Sequence, residues 1–306
     1  MEKALLIPIC NDQICAILHG AEGHETEEPS ATGILLVVGG PQTRVGSHRQ
    51  FVLLARALAE RGIPVLRFDY RGMGDSTGAQ RDFEQVDADI KATTDRFFEE
   101  STGMTKVVIW GLCDAASAAL FYGYTDERVQ GLVLLNPWAR SEAGAAKAYL
   151  KHYYVQRIMS ADFWKKVLGG QFNPLQSFSS LFEMLKKVLG SNNREISSAN
   201  AMATEATDQP ESVSVIKPSV QTQPFIERMR EGLERFNHPV LLIISGNDLT
   251  ASEFLDCVAS DRRWKKLLKR KQVTRKTLEP ADHTFSKRQW RDQVADWTGD
   301  WVLKLK

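Results

Sequence analysis

The sequence predicts an α/β protein built on a mostly parallel, doubly wound sheet. Three observations lead there. Residues 33–38 are a continuous apolar run, the mark of a strand covered on both faces, and 64–69, 105–110, 129–135 and 240–244 read as further strands rich in apolar residues. Segments with helical apolar spacing separate most of them, and strand–helix alternation of this kind builds a parallel sheet with crossover connections. The chain has 306 residues and is 43% hydrophobic, enough for a full core, while its net charge of +1 gives no electrostatic reason to expect nucleic acid as a partner.

Taken in order, residues 4–9 and 14–18 alternate as two antiparallel strands around an Asn11-Asp12 turn. Residues 20–32 are a polar loop. The first buried strand, 33–38, runs into Gly39-Gly40-Pro41. Ser47 is placed to cap a helix reaching Gly62, with Phe51, Leu54, Ala55 and Leu58 on one face. Strand 64–69 leads into the glycine-rich stretch Tyr70-Arg71-Gly72-Met73-Gly74-Asp75-Ser76-Thr77-Gly78. An amphipathic helix covers 83–100, followed by strand 105–110, a helix and strand 129–137. From 139 to 236 the strand rhythm stops. Helical spacing at 149–168 and 178–189 and a polar, poorly ordered loop at 190–223 read as a helical cap inserted into a core of 1–138 and 237–306. The rhythm returns with strand 238–244, a helix and a last strand at 272–278. The terminal helix, about 287–305, carries Trp290, Val294, Trp297 and Trp301 as a core-facing stripe. The basic run Lys265-Lys266-Leu267-Leu268-Lys269-Arg270-Lys271 reads as a solvated helix face.

One stretch carries chemistry. Val107-Val108-Ile109-Trp110-Gly111-Leu112-Cys113-Asp114-Ala115 is a buried strand that ends in Gly-x-Cys-x-Ala, a variant of the Gly-x-Ser-x-Gly nucleophile elbow. Such a turn holds its nucleophile exposed above the sheet, and the helix that follows aims N–H groups at it, which favours a thiolate and an oxyanion. Taken alone, the stretch reads equally well as a buried structural thiol. Two further residues decide. Asp248 and His283 each stand just past the end of a predicted parallel strand, where sites form in open α/β sheets. His283 can take the thiol proton and return it to a leaving group, and Asp248 can orient the imidazole. Asp282 adjoins His283 in sequence and faces its ring poorly, and Asn136 carries no charge, so Asp248 is the expected acid.

The oxyanion donors expected are the N–H of Asp114 and one from the 39–46 loop. Pro41 has none, which leaves Gln42 or Gly40. Arg44 and His48 are candidate substrate contacts, and Arg44 or Arg71 is a candidate to neutralise the Asp114 carboxylate. The remaining histidines, His19, His24, His152 and His238, read as loop or cap residues. Four cysteines are too few for a disulfide scaffold. Cys10 and Cys15 lack the further ligands a metal needs, so neither metal nor cofactor is expected. No run of about 18 apolar residues suggests a membrane span, and the N-terminus lacks a signal-peptide core. A cytoplasmic protein is expected, with homo-oligomerisation left open.

Residues 37–51 (Val-Val-Gly-Gly-Pro-Gln-Thr-Arg-Val-Gly-Ser-His-Arg-Gln-Phe), 68–76 (Phe-Asp-Tyr-Arg-Gly-Met-Gly-Asp-Ser) and 110–114 (Trp-Gly-Leu-Cys-Asp) make the chain resemble the α/β-hydrolases. Within them it is most similar to the exosortase A system-associated hydrolase 1 family, encoded among exopolysaccharide and protein-sorting genes. A cysteine with histidine and aspartate also resembles the triad of dienelactone hydrolase. The resemblance implies an α/β-hydrolase fold with a hydrolytic activity. With the residues themselves it leads to one expectation: cleavage of an ester or thioester through an acyl-thioester at Cys113, on a small-molecule or lipid- or glycan-linked acyl substrate. An acyltransferase using the same triad, or a binding protein that retains the fold, are the alternatives.

Overall fold

The computed structural model describes residues 2–20, 30–40, 42–139 and 224–305. The chain divides into two compact units, 1–144 with 223–306 and 145–222, and the described residues belong to the first. The cap helices, the 190–223 loop, His24 and His152 lie outside the described residues.

Eight strands form one sheet: β1 (Glu2–Ile9), β2 (Asp12–His19), β3 (Thr32–Val37), β4 (Val65–Phe68), β5 (Lys106–Leu112), β6 (Val129–Leu135), β7 (Val240–Ser245) and β8 (Val273–Leu278). Their order is β1-β2-β4-β3-β5-β6-β7-β8. β1–β2 and β2–β4 are antiparallel, and every pairing from β4 to β8 is parallel. Among the described residues the α-helices are α1 (Gln50–Ala59), α2 (Asp87–Glu100), α3 (Asp114–Tyr122), α4 (Phe225–Arg235), α5 (Leu249–Ser260), α6 (Arg262–Leu268) and α7 (Arg288–Val302).

The pleat assigns alternate residues to two cores. Val107 and Ile109 of β5 join α2, α3, α4, α5 and α6 on one face. Val108, Trp110 and Leu112 join α1 and α7 on the other. Trp290 and Val294 are buried there, and Trp297 and Trp301 pack at its margin, so the tryptophan stripe is core. β8 reads Val-Thr-Arg-Lys-Thr-Leu, and its exposed charged residues mark a sheet edge guarded against further pairing.

Three local expectations shift. The hairpin turns on Cys10-Asn11, since Ile9 pairs with Asp12, and Cys10 takes a left-handed φ of 52°. Ser47 does not cap α1. The chain enters that helix through a short 3-10 turn, Ser47–Arg49, with His48 and Arg49 left-handed and no side-chain cap. Helix α4, which the spacing placed within the insertion, packs on α3 so closely that a Cβ at Gly232 would fall 2.0 Å from the Leu120 carbonyl oxygen.

The registers bring the site together. Val37 pairs with Gly111, Leu112 with Leu135, Leu135 with Ile243, and Ser245 with Leu278. The loops after β3, β5, β6, β7 and β8 therefore leave the same edge of the sheet.

Candidate active site

The elbow follows β5. Cys113 has φ 63° and ψ −123°, a conformation that L residues rarely adopt and that stores about 1–3 kcal/mol of strain. Strand and helix nearly touch beneath it: a Cβ on Gly111 would lie 2.5 Å from the Ala115 carbonyl oxygen, so glycine is required there. Ala115, fully buried, fits where many elbows carry a second glycine. The turn is held from both sides. The Cys113 N–H donates to the Leu135 carbonyl at 2.9 Å, and its carbonyl accepts from the N–H of Ala116 and of Trp138, each at 3.1 Å.

Asp248 and His283 meet as the strand ends require. His283 Nδ1 lies 2.9 Å from Asp248 Oδ2. Asp248 is also the N-cap of α5, accepting from the N–H of Thr250 and Ala251 at 3.1 Å each, so its carboxylate is anchored before it meets the imidazole. The pKa of His283 is pushed up to about 10, first by its hydrogen bond with Asp248 and next by one with Cys113, while burial opposes both. Asp282 turns its carboxylate to the Ser286 N–H at 2.9 Å and to the Ser286 hydroxyl, away from this pair.

Cys113 and His283 line a cavity of about 210 Å³ with Gly39, Gly40, Gln42, Phe51, Leu112, Asp114 and Trp138. Trp138 forms part of an aromatic wall. Its ring stacks on Phe225 with centroids 5.3 Å apart and meets Phe83 edge-on at 5.3 Å.

The loop after β3 approaches the elbow so closely that a Cβ on Gly39 would fall 2.1 Å from Asp114 Oδ1. Among the described residues no arginine pairs with the Asp114 carboxylate. It accepts the Gly40 N–H at 2.7 Å and the Ala115 N–H at 3.0 Å. Burial raises its pKa, and these backbone donors work against that rise. Gly40 N–H is thereby engaged by a carboxylate, whereas Gln42 lines the cavity with its side-chain oxygen turned to the Ser47 N–H at 3.3 Å.

Arg44 and Arg71 have other partners. Arg44 donates from its main chain to Asp69 Oδ1 at 2.5 Å, from Nη1 to Asp69 Oδ2 and from Nη2 to Asp75 at 2.5 Å. Arg71 donates to the buried Asp89 at 2.6 Å. Neither lines the cavity. Three carboxylates, Asp69, Asp75 and Asp89, claim these guanidiniums, and the 69–78 stretch braces the loop after β3, completed by the Tyr70 hydroxyl donating to the Gly40 carbonyl at 3.3 Å. His48 does not line the cavity either. His19, read as a loop residue, is buried at the end of β2, where Arg67 Nε donates to its Nε2 at 2.8 Å and burial lowers its pKa to about 4.

Asn136 is the residue whose role the sequence did not disclose. It is fully buried with φ 41°. Its Nδ2 donates to Ser245 Oγ at 2.8 Å and to the His283 carbonyl at 3.1 Å, and its Oδ1 accepts the Ser245 N–H at 2.9 Å. It ties the β6 end to β7 and to the histidine's own backbone. The signal was an asparagine, tolerant of left-handed backbone, closing an apolar strand.

The family model described as serine aminopeptidase, S33, matches residues 30–285. The chain belongs to this family of α/β-hydrolases. It is a hydrolase by that membership. A comparison with curated proteins returns no match. Solved structures share the fold. The esterase Pf2001 of Pyrococcus furiosus is 14% identical with a TM-score of 0.61, the alignment covering 100% of this chain and 91% of that one. Est1E of Butyrivibrio proteoclasticus, solved with ferulic acid bound, is 13% identical with a TM-score of 0.59 and 99% of both chains covered. A putative hydrolase of Agrobacterium vitis S4 is 15% identical with a TM-score of 0.53, covering 99% and 98%.

Proposed function

We propose that this hydrolase cleaves a carboxylic ester or thioester through a Cys113-His283-Asp248 triad. One arrangement carries the reading: a thiol at a left-handed elbow lines the same cavity as an imidazole that is itself bonded to a carboxylate at 2.9 Å. The Cys113 proton passes to His283 as Sγ attacks the acyl carbon. The negative charge that develops on the acyl oxygen is received by the N–H groups of Asp114 and Gln42, because Gly40 already donates to Asp114. Collapse expels the alcohol or thiol, which takes its proton from His283, and leaves an acyl-thioester. Water then gives a proton to His283 and attacks the thioester, and Sγ departs with that proton returned. A thiolate leaves readily, so esters and thioesters suit this site better than amides. The resemblance to the exosortase-associated family supports a substrate acyl group carried on a lipid-linked or exported glycan.

The test is a p-nitrophenyl butyrate burst followed by intact-mass measurement. An acyl adduct on the wild-type protein that is absent from Cys113→Ala, with slower steady turnover, supports the mechanism. Turnover accelerated by added polyols redirects the same triad to acyl transfer. No adduct, together with no alkylation of Cys113 by iodoacetamide, leaves a binding protein.

A further inference from the structure

On the α1–α7 side of the sheet lies a second, smaller cavity. Phe51, Leu54, Trp110, Leu135, Phe285 and Arg291 are among the residues that line it, together with Gln50, and its volume is about 40 Å³. One water needs only about 10–15 Å³ by the same kind of measure. Its wall is mostly apolar. Three of its residues nevertheless bury N–H groups that meet no acceptor among the described residues: Gln50 Nε2, Trp110 Nε1 and Arg291 Nε. Gln50 is only 7% exposed and Trp110 only 2%. Native folds leave few buried donors unmade, because each forfeits its hydration without return. Arg291 takes part in no ion pair among the described residues, and its neighbour Asp292 is paired with Arg288 at 3.4 Å.

The unmet groups are all donors, and one belongs to a cation. A cluster of water could accept from them, but its own protons would find phenylalanine, leucine and, as the one acidic side chain of the lining, Asp292, which Arg288 engages at 3.4 Å. An acceptor-only anion with a short apolar body matches both the donors and the wall. We propose that this cavity is a binding site for a short-chain carboxylate of two to four carbons. Its oxygens would sit against Arg291, Trp110 and Gln50, and its alkyl part against Leu54, Leu135 and Phe285. The catalytic cavity shares the wall residue Phe51, and Phe285 follows His283 by two positions.

The probe is propionate carrying ¹³C at its carboxyl, titrated into the full-length protein by NMR, with butyrate, butanol and hexanoate as comparisons. Saturable propionate and butyrate binding near the millimolar range fits a ligand of so few atoms. Loss of the charge-assisted bonds predicts at least about tenfold weaker binding to Arg291→Met, and about the same deficit for butanol. Hexanoate exceeds the space and should not compete. Cys113→Ala and Gln42→Ala should bind propionate as the wild type does, which separates this site from the catalytic cavity. Should Arg291→Met fail to fold, Trp110→Phe removes one donor with the ring packing retained and should weaken propionate while leaving butanol unchanged. No saturable propionate binding, binding lost in Gln42→Ala but kept in Arg291→Met, or a crystal soaked in propionate that shows only water between α1 and α7 would each overturn the proposal.

Discussion

Two sides of one cavity are built on different principles. On the side of β7 and β8, each residue of the proposed triad occupies its own strand end, and Asp248 meets His283 side chain to side chain. On the side of β3 and β4 nothing acts alone. The Gly39-Gly40 loop is placed by Asp114 from the elbow, by the Tyr70 hydroxyl and by Arg44, whose guanidinium is held by Asp69 and Asp75. In the proposed mechanism the first side supplies reacting groups and the second positions backbone donors. Damage to the first should therefore appear in the chemical step, and damage to the second in stability and in the fine placement of the oxyanion.

The largest effects test the first side. Cys113→Ala should reduce kcat/KM by about 10⁴-fold or more, because removing a nucleophile leaves only binding and oxyanion stabilisation. Unchanged ester turnover in that variant ends the mechanism. Asp248→Asn should lose about 10²- to 10⁴-fold and should also move the pH profile. The Asp248 bond is the main reason the His283 pKa reaches about 10, so without it His283 falls back toward its ordinary 6.5. The protonated imidazole that serves the leaving group is then lost at lower pH, and the alkaline limb of kcat/KM shifts down. The same raised pKa links to folding. Its contribution is fully present below 6.5 and disappears as pH climbs through about 10. Urea midpoints of wild type and Asp248→Asn should converge across that interval.

On the second side the first expectation is a stability loss. Arg44→Ala leaves the buried Asp69 carboxylate without its guanidinium and should destabilise by about 3 kcal/mol or more, with Arg44→Lys recovering part of it. A denaturant midpoint measures the loss. At temperatures where the variant stays folded, KM should hold while kcat falls. A rise in KM alone would make Arg44 the substrate contact that its sequence position suggested.

This contrast also explains what could be read from the sequence. The members of the proposed triad could be picked out because each follows an apolar run, and a parallel register carries such ends to one edge. The sheet was legible for the same reason, from β3 through β7. The brace was not. Arg44 is one of several arginines near the site, and only the fold shows that Asp69 lies within reach of both its main chain and its guanidinium. Asn136 was visible as a polar residue closing β6, yet its work lies in bonds to Ser245 and to the carbonyl of His283, 109 and 147 residues away. Ser47 has the chemistry of a cap, but two left-handed residues separate it from α1. Local propensity cannot foresee such an entry.

A smaller effect sharpens the comparison where the two sides touch. Asp114→Asn preserves shape but replaces one acceptor oxygen with a donor, which then confronts the N–H of Gly40 or Ala115. The loop should loosen enough to lower kcat by about tenfold with little change in KM, as for a slightly misplaced oxyanion donor. The pH profile separates placement from simple damage. Burial raises the wild-type Asp114 pKa, so acidification protonates the carboxyl and weakens its hold on Gly40. That acid-side contribution should be missing from Asp114→Asn, whose profile should be flatter there.

The smallest effect concerns strain without chemistry. Cys113 and His48 both carry positive φ, 63° and 51°. At Cys113 the conformation lifts a thiol into the cavity. His48 lines no part of that cavity, and among the described residues no side-chain cap hydrogen bond closes its turn. Glycine accepts left-handed backbone without steric cost, although it loses more entropy on folding. His48→Gly should therefore change stability by less than about 1 kcal/mol, in the stabilising direction where the steric term wins. Ester turnover should stay within about twofold of wild type, since no contact to the reacting atoms is removed. A tenfold fall in kcat/KM with unchanged stability would return His48 to the substrate and make the β3 side, like the other, a place where single side chains act directly.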